Sequence, residues 1–492
     1  MNKYIRTPTA IYLNDITERN FSLSSLQYKK FDIKNKNCRS VRDFLSRNLT
    51  RKDLGTEVGS INYIDKSTHF FLRTKALQAH SYLPEISNET VLPIMPDCFI
   101  DMNLKAGDLI ISKDSNIGEI IILDRDYPNY MLSSALYKLP IKRYRYYLLA
   151  MIKHDIFREQ LDFIVPKGAT IRHAKTLFLD CQIPIPNDNT DEVIEFVEIL
   201  IQAIINKQSL MKDRHKKILE LIERELLGNQ KDEKFLFSLP TIKELKNVGR
   251  LDTGVYSEKF KEINFLIKNY RFGYFFIDEN NIKSGSTPEA RYIGKKNHLK
   301  YRWITPSHCF PYGILSSERI NLSGSNNINE DCILLINRTS RGGIGEYVGI
   351  ACFYHYNDFG VGHHNQGMYR VYKYKKDNLI FILNFLNCAI MRKYCSYLSV
   401  GSKMKELKIE QFLQIPFPNF PDEKQQEIAS LYHNPIKYDI CNATISNFLE
   451  LDNEFNQKAG IYELDKTAKH LQRVLDQVIE NIINDKKVEI AF

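Results

Sequence analysis

The sequence predicts an α+β fold: two mixed α/β domains in tandem repeat, separated by two long helices that pack as an antiparallel coiled coil. Three observations predict it. First, a series of short motifs occurs twice in the same order. Gly107-Asp-Leu-Ile-Ile-Ser, Asn116-Ile-Gly-Glu, Tyr137-Lys, Lys167-Gly-Ala-Thr-Ile-Arg-His and Ile183-Pro-Ile-Pro form one copy. Asp331-Cys-Ile-Leu-Leu-Ile, Gly343-Ile-Gly-Glu, Tyr369-Arg, Val400-Gly-Ser-Lys-Met-Lys-Glu and Ile415-Pro-Phe-Pro form the other. Second, each copy is followed by a long amphipathic stretch. Third, 492 residues exceed what one hydrophobic core supports, so the chain divides. A duplicated domain-plus-helix unit suits a target with its own pseudo-symmetry.

Each element has a local reason. In the first domain (1–187), Leu109-Ile-Ile and Ile120-Ile-Ile-Leu are strand-like, with turn residues Asp114-Ser-Asn between them. Pro184 and Pro186 close it, because alternating prolines stop both ladder and helix. Across the spacer 188–230, Val193, Val197, Leu200, Ile204, Met211 and Ile218 recur at helical steps. Gly228-Asn229 is a suitable C-terminal stop. The second domain takes 231–421. In the final region, 422–492, Pro421-Asp-Glu starts helical sequence that Pro435 and Gly460 interrupt. Its last part, Leu464, Ala468, Leu471, Leu475, Val478 and Ile482, steps 4-3-4-3-4 as a heptad stripe. A helix lying on its own domain gives the same stripe. Two such helices, one per repeat, favour the coiled-coil spacer.

Composition narrows the partners. The net charge is +9 with 43% hydrophobic residues, which suits a polyanionic partner without requiring one. Nine cysteines lie scattered without a Cys-x-x-Cys pair, as expected of buried, reduced thiols in a cytoplasmic protein. No run reaches the ~18 apolar residues of a membrane helix, and the N-terminus lacks a signal-type apolar segment.

The chemistry of catalysis is missing. No Gly-x-x-x-x-Gly-Lys-[Ser/Thr] cradle exists, and the Gly342-Gly-Ile-Gly345 turn lacks the third glycine of a dinucleotide loop. Asn434-Pro-Ile-Lys lacks the second proline and the aromatic ring with which an amino-methyltransferase loop stacks a flipped base. His363-His364 sits without a Cys, Asp or Glu at ligand spacing, so hydrogen bonding in a loop is expected rather than metal binding.

What remains is chemistry for holding a polyanion. Basic and aromatic residues interleave at matching points of both copies, in 137–147 and 369–376. There Lys138, Arg143, Arg145, Arg370 and Lys373 are suited to phosphates. An alternating strand with one solvated, charged face gives the same pattern. Two polar loops per copy add candidates. The loop Lys113-Asp-Ser-Asn116, with Ser115, corresponds to Asn337-Arg-Thr-Ser-Arg341, with Arg338 and Ser340, and the loop Lys167-Gly-Ala-Thr-Ile-Arg172, with Thr170, to Gly401-Ser-Lys-Met-Lys405, with Ser402 and Lys403. His364, Asn365 and Gln366 precede the second basic run. Arg reads guanine edges and Asn or Gln adenine edges, so these residue types fit base readout.

As a whole the pattern resembles the specificity (S) subunit of type I restriction–modification enzymes. The residues that carry the resemblance are Gly107-Asp-Leu-Ile-Ile-Ser, the turns Lys167-Gly-Ala-Thr and Val400-Gly-Ser-Lys, and the two Ile-Pro-x-Pro closers. Arg250-Leu-Asp-Thr-Gly-Val-Tyr, Gly285-Ser-Thr-Pro288 and Pro421-Asp-Glu-Lys-Gln-Gln-Glu-Ile add to them. The resemblance implies two target-recognition domains, each reading half of an asymmetric bipartite DNA site, with a helical ruler between them. It implies no cofactor on this chain, methyltransferase (M) subunits that bind S-adenosylmethionine, and a motor–nuclease (R) subunit using ATP and Mg²⁺. Asn187-Asp-Asn-Thr-Asp-Glu departs from the family's Glu-Gln helix start after the first closer. A self-sufficient modification enzyme with diverged motifs and a repeat-built protein-interaction scaffold are the competing expectations.

Overall fold

The computed structural model describes residues 3–18, 21, 23, 28–87, 90–165, 174–287, 300–316, 319–321, 327–339, 347–401 and 404–492. The chain forms two compact units. The first comprises Met1–Ser209, Lys437–Gln457 and Lys466–Phe492; the second comprises Leu210–Ile436 and Lys458–Asp465. Both long helices thus serve both units.

In the first unit the chain runs through β1 (Cys38–Ser40), β2 (Phe70–Leu72), β3 (Val91–Pro93), β4 (Leu109–Ser112), β5 (Ile120–Ile122), β6 (Tyr130–Leu132) and β7 (Leu136–Leu139). Helices α1 (Arg145–Lys153) and α2 (Asp155–Ile164), strand β8 (Gln182–Pro184) and helix α3 (Thr190–Gly228) follow. The antiparallel sheet β5-β4-β7 is central. All four residues of β4 are buried, and their alternation divides them between two cores. Leu109 and Ile111 face α1 and α2 with Leu148, Phe157 and Leu161. Ile110 packs with Leu72, Val91 and Leu132 of the second sheet, β3-β2-β6, in which β2 and β6 are parallel. A strand covered on both faces needs a continuous apolar run rather than alternation, which is what this segment has.

Helices α1 and α2 are separated by a single extended residue, His154, whose ring accepts the Ile156 N–H at 3.3 Å. Strand β8 pairs with β1, Pro184 opposite Cys38. The Ile183-Pro motif is therefore itself an edge strand, a position where proline's missing N–H costs nothing.

The second unit repeats this plan. It contains α4 (Glu258–Lys268), β9 (Tyr274–Phe275), β10 (Ile282–Ser284), β11 (Lys300–Ile304), β12 (Arg319–Asn321), β13 (Asn327–Ile328), β14 (Cys332–Ile336), β15 (Arg338–Thr339), β16 (Ala351–Tyr354), β17 (Gly362–His364) and β18 (Met368–Val371). Then come α5 (Lys376–Asn387), α6 (Ala389–Leu398), β19 (Lys405–Glu406), β20 (Phe417–Pro418), α7 (Asp422–Tyr432), α8 (Phe448–Lys458), which belongs to the first unit for most of its length, and α9 (Ile461–Ile483). In β10-β18-β14-β16, strand β14 takes the place of β4. Leu334 lies opposite Cys352 and Arg370, as Ile110 lies opposite Ile121 and Lys138. A parallel pair, β11 with β17, stands where β2 and β6 stand. Helices α5 and α6 again break at one extended residue, Cys388, and β9 pairs with β20 as β1 does with β8. The second sheets differ in strand number, four against three.

Within the first unit the start of α3 lies beside the end of α9, so the two run antiparallel: Asn187 donates to Asp485 at 2.7 Å. Leu471, Leu475, Val478 and Ile482 share one core with Val193, Val197, Leu200 and Ile204. All six heptad positions of α9 are buried. The N-terminal segment joins them. The backbone N–H groups of Lys3 and Tyr4 donate to Glu159 at 2.7 Å each, their side chains reach Glu480, and Asn35 donates to the Ile482 carbonyl at 2.9 Å.

Amid the apolar surface of α3 sits a fully buried cation. Lys207 Nζ lies 2.6 Å from Asp452 and 2.7 Å from Asn456 Oδ1, and faces the rings of Tyr438 and Phe455. Tyr438 and Asn456 each donate to Asp452 at 2.7 Å. Every cysteine is a free thiol, but Cys38 and Cys98 are half-buried and Cys441 is exposed, so burial does not account for all nine. We predict that Lys207→Met lowers stability by about 3–5 kcal/mol, because it leaves a carboxylate buried without its cation. Adding Asp452→Leu recovers part of this loss. Denaturant midpoints of the single and double variants check both expectations.

Candidate nucleic-acid interface

Four backbone hydrogen bonds gather the loops at one end of the central sheet, and they are the same four in both units. In the first, Gly55 donates to Leu136 at 3.0 Å, Thr56 to Leu132 at 3.0 Å, Lys113 to Ala135 at 2.9 Å, and Ala174 to Lys113 at 2.9 Å. In the second, Gly285 donates to Met368 at 3.1 Å, Ser286 to His364 at 3.1 Å, Asn337 to Gly367 at 3.0 Å, and Leu407 to Asn337 at 2.7 Å. A Cβ on Gly55 would lie 2.1 Å from the Ser133 carbonyl oxygen, and one on Gly285 2.1 Å from that of Asn365. Only glycine lets these loops press so closely on their neighbours. The Lys113 and Asn337 loops matched by sequence therefore occupy equivalent places. Sequence reading missed the Gly55-Thr56-Glu57 loop and its neighbours Ser133 and Ser134. The available signal was slight, a glycine followed by a hydroxyl residue in both copies.

The candidate residues separate by exposure. Ser115, Asn116, Arg143, Arg145, Gln366 and Lys373 are exposed. Ser115 and Lys373 adopt left-handed backbone, φ 62° each, which turns the chain sharply out of the fold. Both basic–aromatic runs leave a strand, turn, and enter a helix, β7 to α1 and β18 to α5. Neither is one continuous alternating strand. The Arg143 guanidinium stands 4.8 Å above the Tyr144 ring. Arg370 and Lys373 approach the Tyr372 ring at 4.4 and 5.2 Å.

Others are engaged inside the protein. Lys113 pairs with Asp114 at 2.6 Å and Lys138 with Asp108 at 2.8 Å. Arg370 is buried in the sheet opposite Lys283 and Leu334. Arg338 and Lys405 lie on the short ladder β15–β19, opposite Glu406 and Thr339. Asn365 donates to the Thr287 hydroxyl at 3.1 Å and accepts the Gly367 N–H at 2.7 Å. Lys167, Thr170, Arg172, Ser340, Arg341, Ser402 and Lys403, and the Gly342–Gly345 turn, lie outside the described residues.

His363 and His364 belong to β17 rather than to a loop, and both are buried. His363 stacks on Trp303 at 5.3 Å, and its Nε2 lies 3.1 Å from the Ser286 carbonyl oxygen. His364 has its Nε2 3.4 Å from the Lys283 carbonyl oxygen. In this arrangement its ring is a packing element and is not presented to a ligand. Burial pushes its pKa down to about 3. No group of three metal-ligating side chains occurs among the described residues.

Two units built on one scaffold, with unlike polar residues on equivalent loops, define a tandem-repeat protein. Residues 277–451 match the family model described as "Type I restriction modification DNA specificity domain". No curated protein matches the chain. Similar solved structures include the type I restriction-modification system S subunit from M. genitalium. It is 12% identical with a TM-score of 0.41, and the match covers 90% of this chain and 95% of that one. The HsdS subunit from Thermoanaerobacter tengcongensis is 11% identical, TM-score 0.26, covering 85% and 90%. A chain from a structure of type I R-M complex assembly and conformational transition is 11% identical, TM-score 0.28, covering 93% and 100%. Over residues 277–451 the chain resembles the type I specificity domain, as its motifs imply. No single helix among the described residues is long and apolar enough to cross a membrane.

A histidine held neutral in the fold but free to charge when unfolded makes stability depend on pH. For His364, and for His215, which burial lowers to about 4, the unfolded chain binds the extra proton below its ordinary pKa of about 6.5. Stability therefore falls as pH drops from about 6.5. His364 alone contributes a loss of about 2 kcal/mol by pH 5. His364→Phe should show a shallower slope between pH 7 and 5, read from urea unfolding at each pH, with the His215 share remaining.

Proposed function

We propose that this chain is the non-catalytic DNA-sequence-recognition subunit of a type I restriction–modification complex. In this reading each unit reads one half of an asymmetric bipartite site. The helices α3 and α9 set the gap and dock methyltransferase subunits. The observation that carries it is a coincidence: the segment matching a DNA specificity domain is the second copy of a scaffold that the first unit repeats with different loop residues. S-adenosylmethionine is assigned to the methyltransferase subunits, and ATP with Mg²⁺ to a restriction subunit, with none on this chain. Asn116 and Gln366, at the loop end of the central sheet, are suited to base edges, and the exposed Arg143, Arg145 and Lys373, which follow the strands' opposite end, supply phosphate contacts away from them.

Phosphate neutralisation releases counterions, so affinity for duplex DNA should fall linearly on a log–log plot against salt. Six phosphate contacts amount to a loss on the order of a thousandfold between 50 and 200 mM. Titrations of fluorescent duplex with the chain and its methyltransferase partner measure this slope, and salt-independent binding refutes the reading. Long-read mapping of N6-methyladenine, with and without the gene, then identifies the site. Tight binding of S-adenosylmethionine by the isolated chain would instead favour a self-sufficient modification enzyme.

A further inference from the structure

We propose that two side-chain pairs, Glu57 with Ser134 in the first unit and Thr287 with Asn365 in the second, set which base each unit prefers. This rests on the DNA-recognition reading above and names residues within it. Glu57 and Thr287 occupy equivalent places, and their partners lie on the same turn one position apart, since the shared bonds match Ser133 to Asn365 and Ser134 to Gln366. Glu57 and Thr287 stand two residues beyond the clamped glycines Gly55 and Gly285. Ser134 and Asn365 lie on the turns that run into β7 and β18. Ser134 Oγ donates to Glu57 Oε2 at 2.6 Å, and Asn365 Nδ2 donates to Thr287 Oγ1 at 3.1 Å. Glu57 and Thr287 are exposed, and their partners are half-exposed.

The four shared backbone bonds already tie these loops together in both units. The side-chain bridges are therefore additional, and they are where the two copies differ in chemistry: carboxylate–hydroxyl in one, hydroxyl–amide in the other. Identical scaffold with divergent, solvent-facing polar groups is what separate recognition by two half-sites requires.

The chemistry separates the bases. A carboxylate only accepts hydrogen bonds, and phosphates repel it. Glu57 is favourable at a DNA surface only against an exocyclic amine, which makes cytosine N4 its first match and adenine N6 its second. Ser134 holds one carboxylate oxygen and leaves Oε1 to receive that amine. Asn365 keeps one amide hydrogen and a second carbonyl lone pair beyond its bonds to Thr287 and Gly367. One donor beside one acceptor matches the N7 and N6 edge of adenine.

The test is selection from a pool of random-sequence duplexes by the full chain with its methyltransferase partner. Wild type, Glu57→Gln, Ser134→Ala and Asn365→Asp are compared, with melting curves for each. Glu57→Gln should change discrimination at one base pair of one half-site by about tenfold or more and leave the other half unchanged. Asn365→Asp should do the converse, and Ser134→Ala should weaken preference on the Glu57 side only. Unshifted selections by Glu57→Gln and Asn365→Asp overturn the proposal, as does equal loss at both half-sites with a lowered melting temperature. Wild type that selects no sequence overturns DNA recognition itself, a result distinct from wild type that selects and variants that do not shift.

Discussion

The structure depends on one strand in each unit being buried on both faces. Leu109–Ser112 and Cys332–Ile336 have no solvated side, so each must be covered twice, by a kinked helix pair on one face and a second small sheet on the other. That double cover fixes where everything else goes. The helix pair follows directly from the third strand of the sheet, and the loops at one end are drawn together by backbone bonds to that strand and its neighbours. At roughly 25 cal/mol per Å² of apolar surface, such a strand contributes far more than any surface ion pair. The loops are then relieved of any structural duty beyond their backbone bonds, and their side chains can differ between copies without altering the frame.

Much of this was legible in the sequence because it is written in apolar spacing. The all-aliphatic runs and the heptad from Leu464 to Ile482 report burial, which leaves a periodic mark, and the breaks near Pro435 and Gly460 report backbone constraint. The polar sites were less legible. Lys113, Lys138 and Arg370 look in sequence like Arg143 and Lys373, yet the first two are paired with Asp114 and Asp108 and the third is enclosed in a sheet. Nothing in composition distinguishes a cation bound internally from one left outside: Asp114 adjoins Lys113 without marking it as paired, and the partner of Lys138 is brought near only by folding. Lys138 and Asp108 lie thirty residues apart in sequence. His363-His364 misled for a related reason. Their strand is short and parallel to β11, and parallel pairing has no local sequence signature. The first-unit loop at Gly55 escaped notice because a tight backbone approach leaves only a glycine behind.

Charge must therefore be read locally. A net charge of +9 describes the chain but not its surface, since cations such as Lys207 and Lys138 are satisfied internally. The fully buried Lys207–Asp452 pair, bonded at every polar atom it presents and set among apolar helix positions, restricts how α3 and α8 can slide against each other. An all-apolar seam tolerates more than one alignment of its side chains; a cation that must meet one carboxylate and one amide does not.

The closure of the first unit by the chain's last residues has a consequence for synthesis. That unit begins with Lys3 and Tyr4 but is completed by Glu480, Ile482 and Phe492. The half made first on the ribosome is thus completed after the other, and its core stays open until residues 466–492 have been made. The second unit, whose residues end at Asp465, has its full complement earlier and can fold ahead of it. Contacts spanning almost the whole chain make final closure slow relative to local helix formation. Truncation by a few dozen residues at the C-terminus removes part of the N-terminal unit's core while leaving the second unit's residues intact.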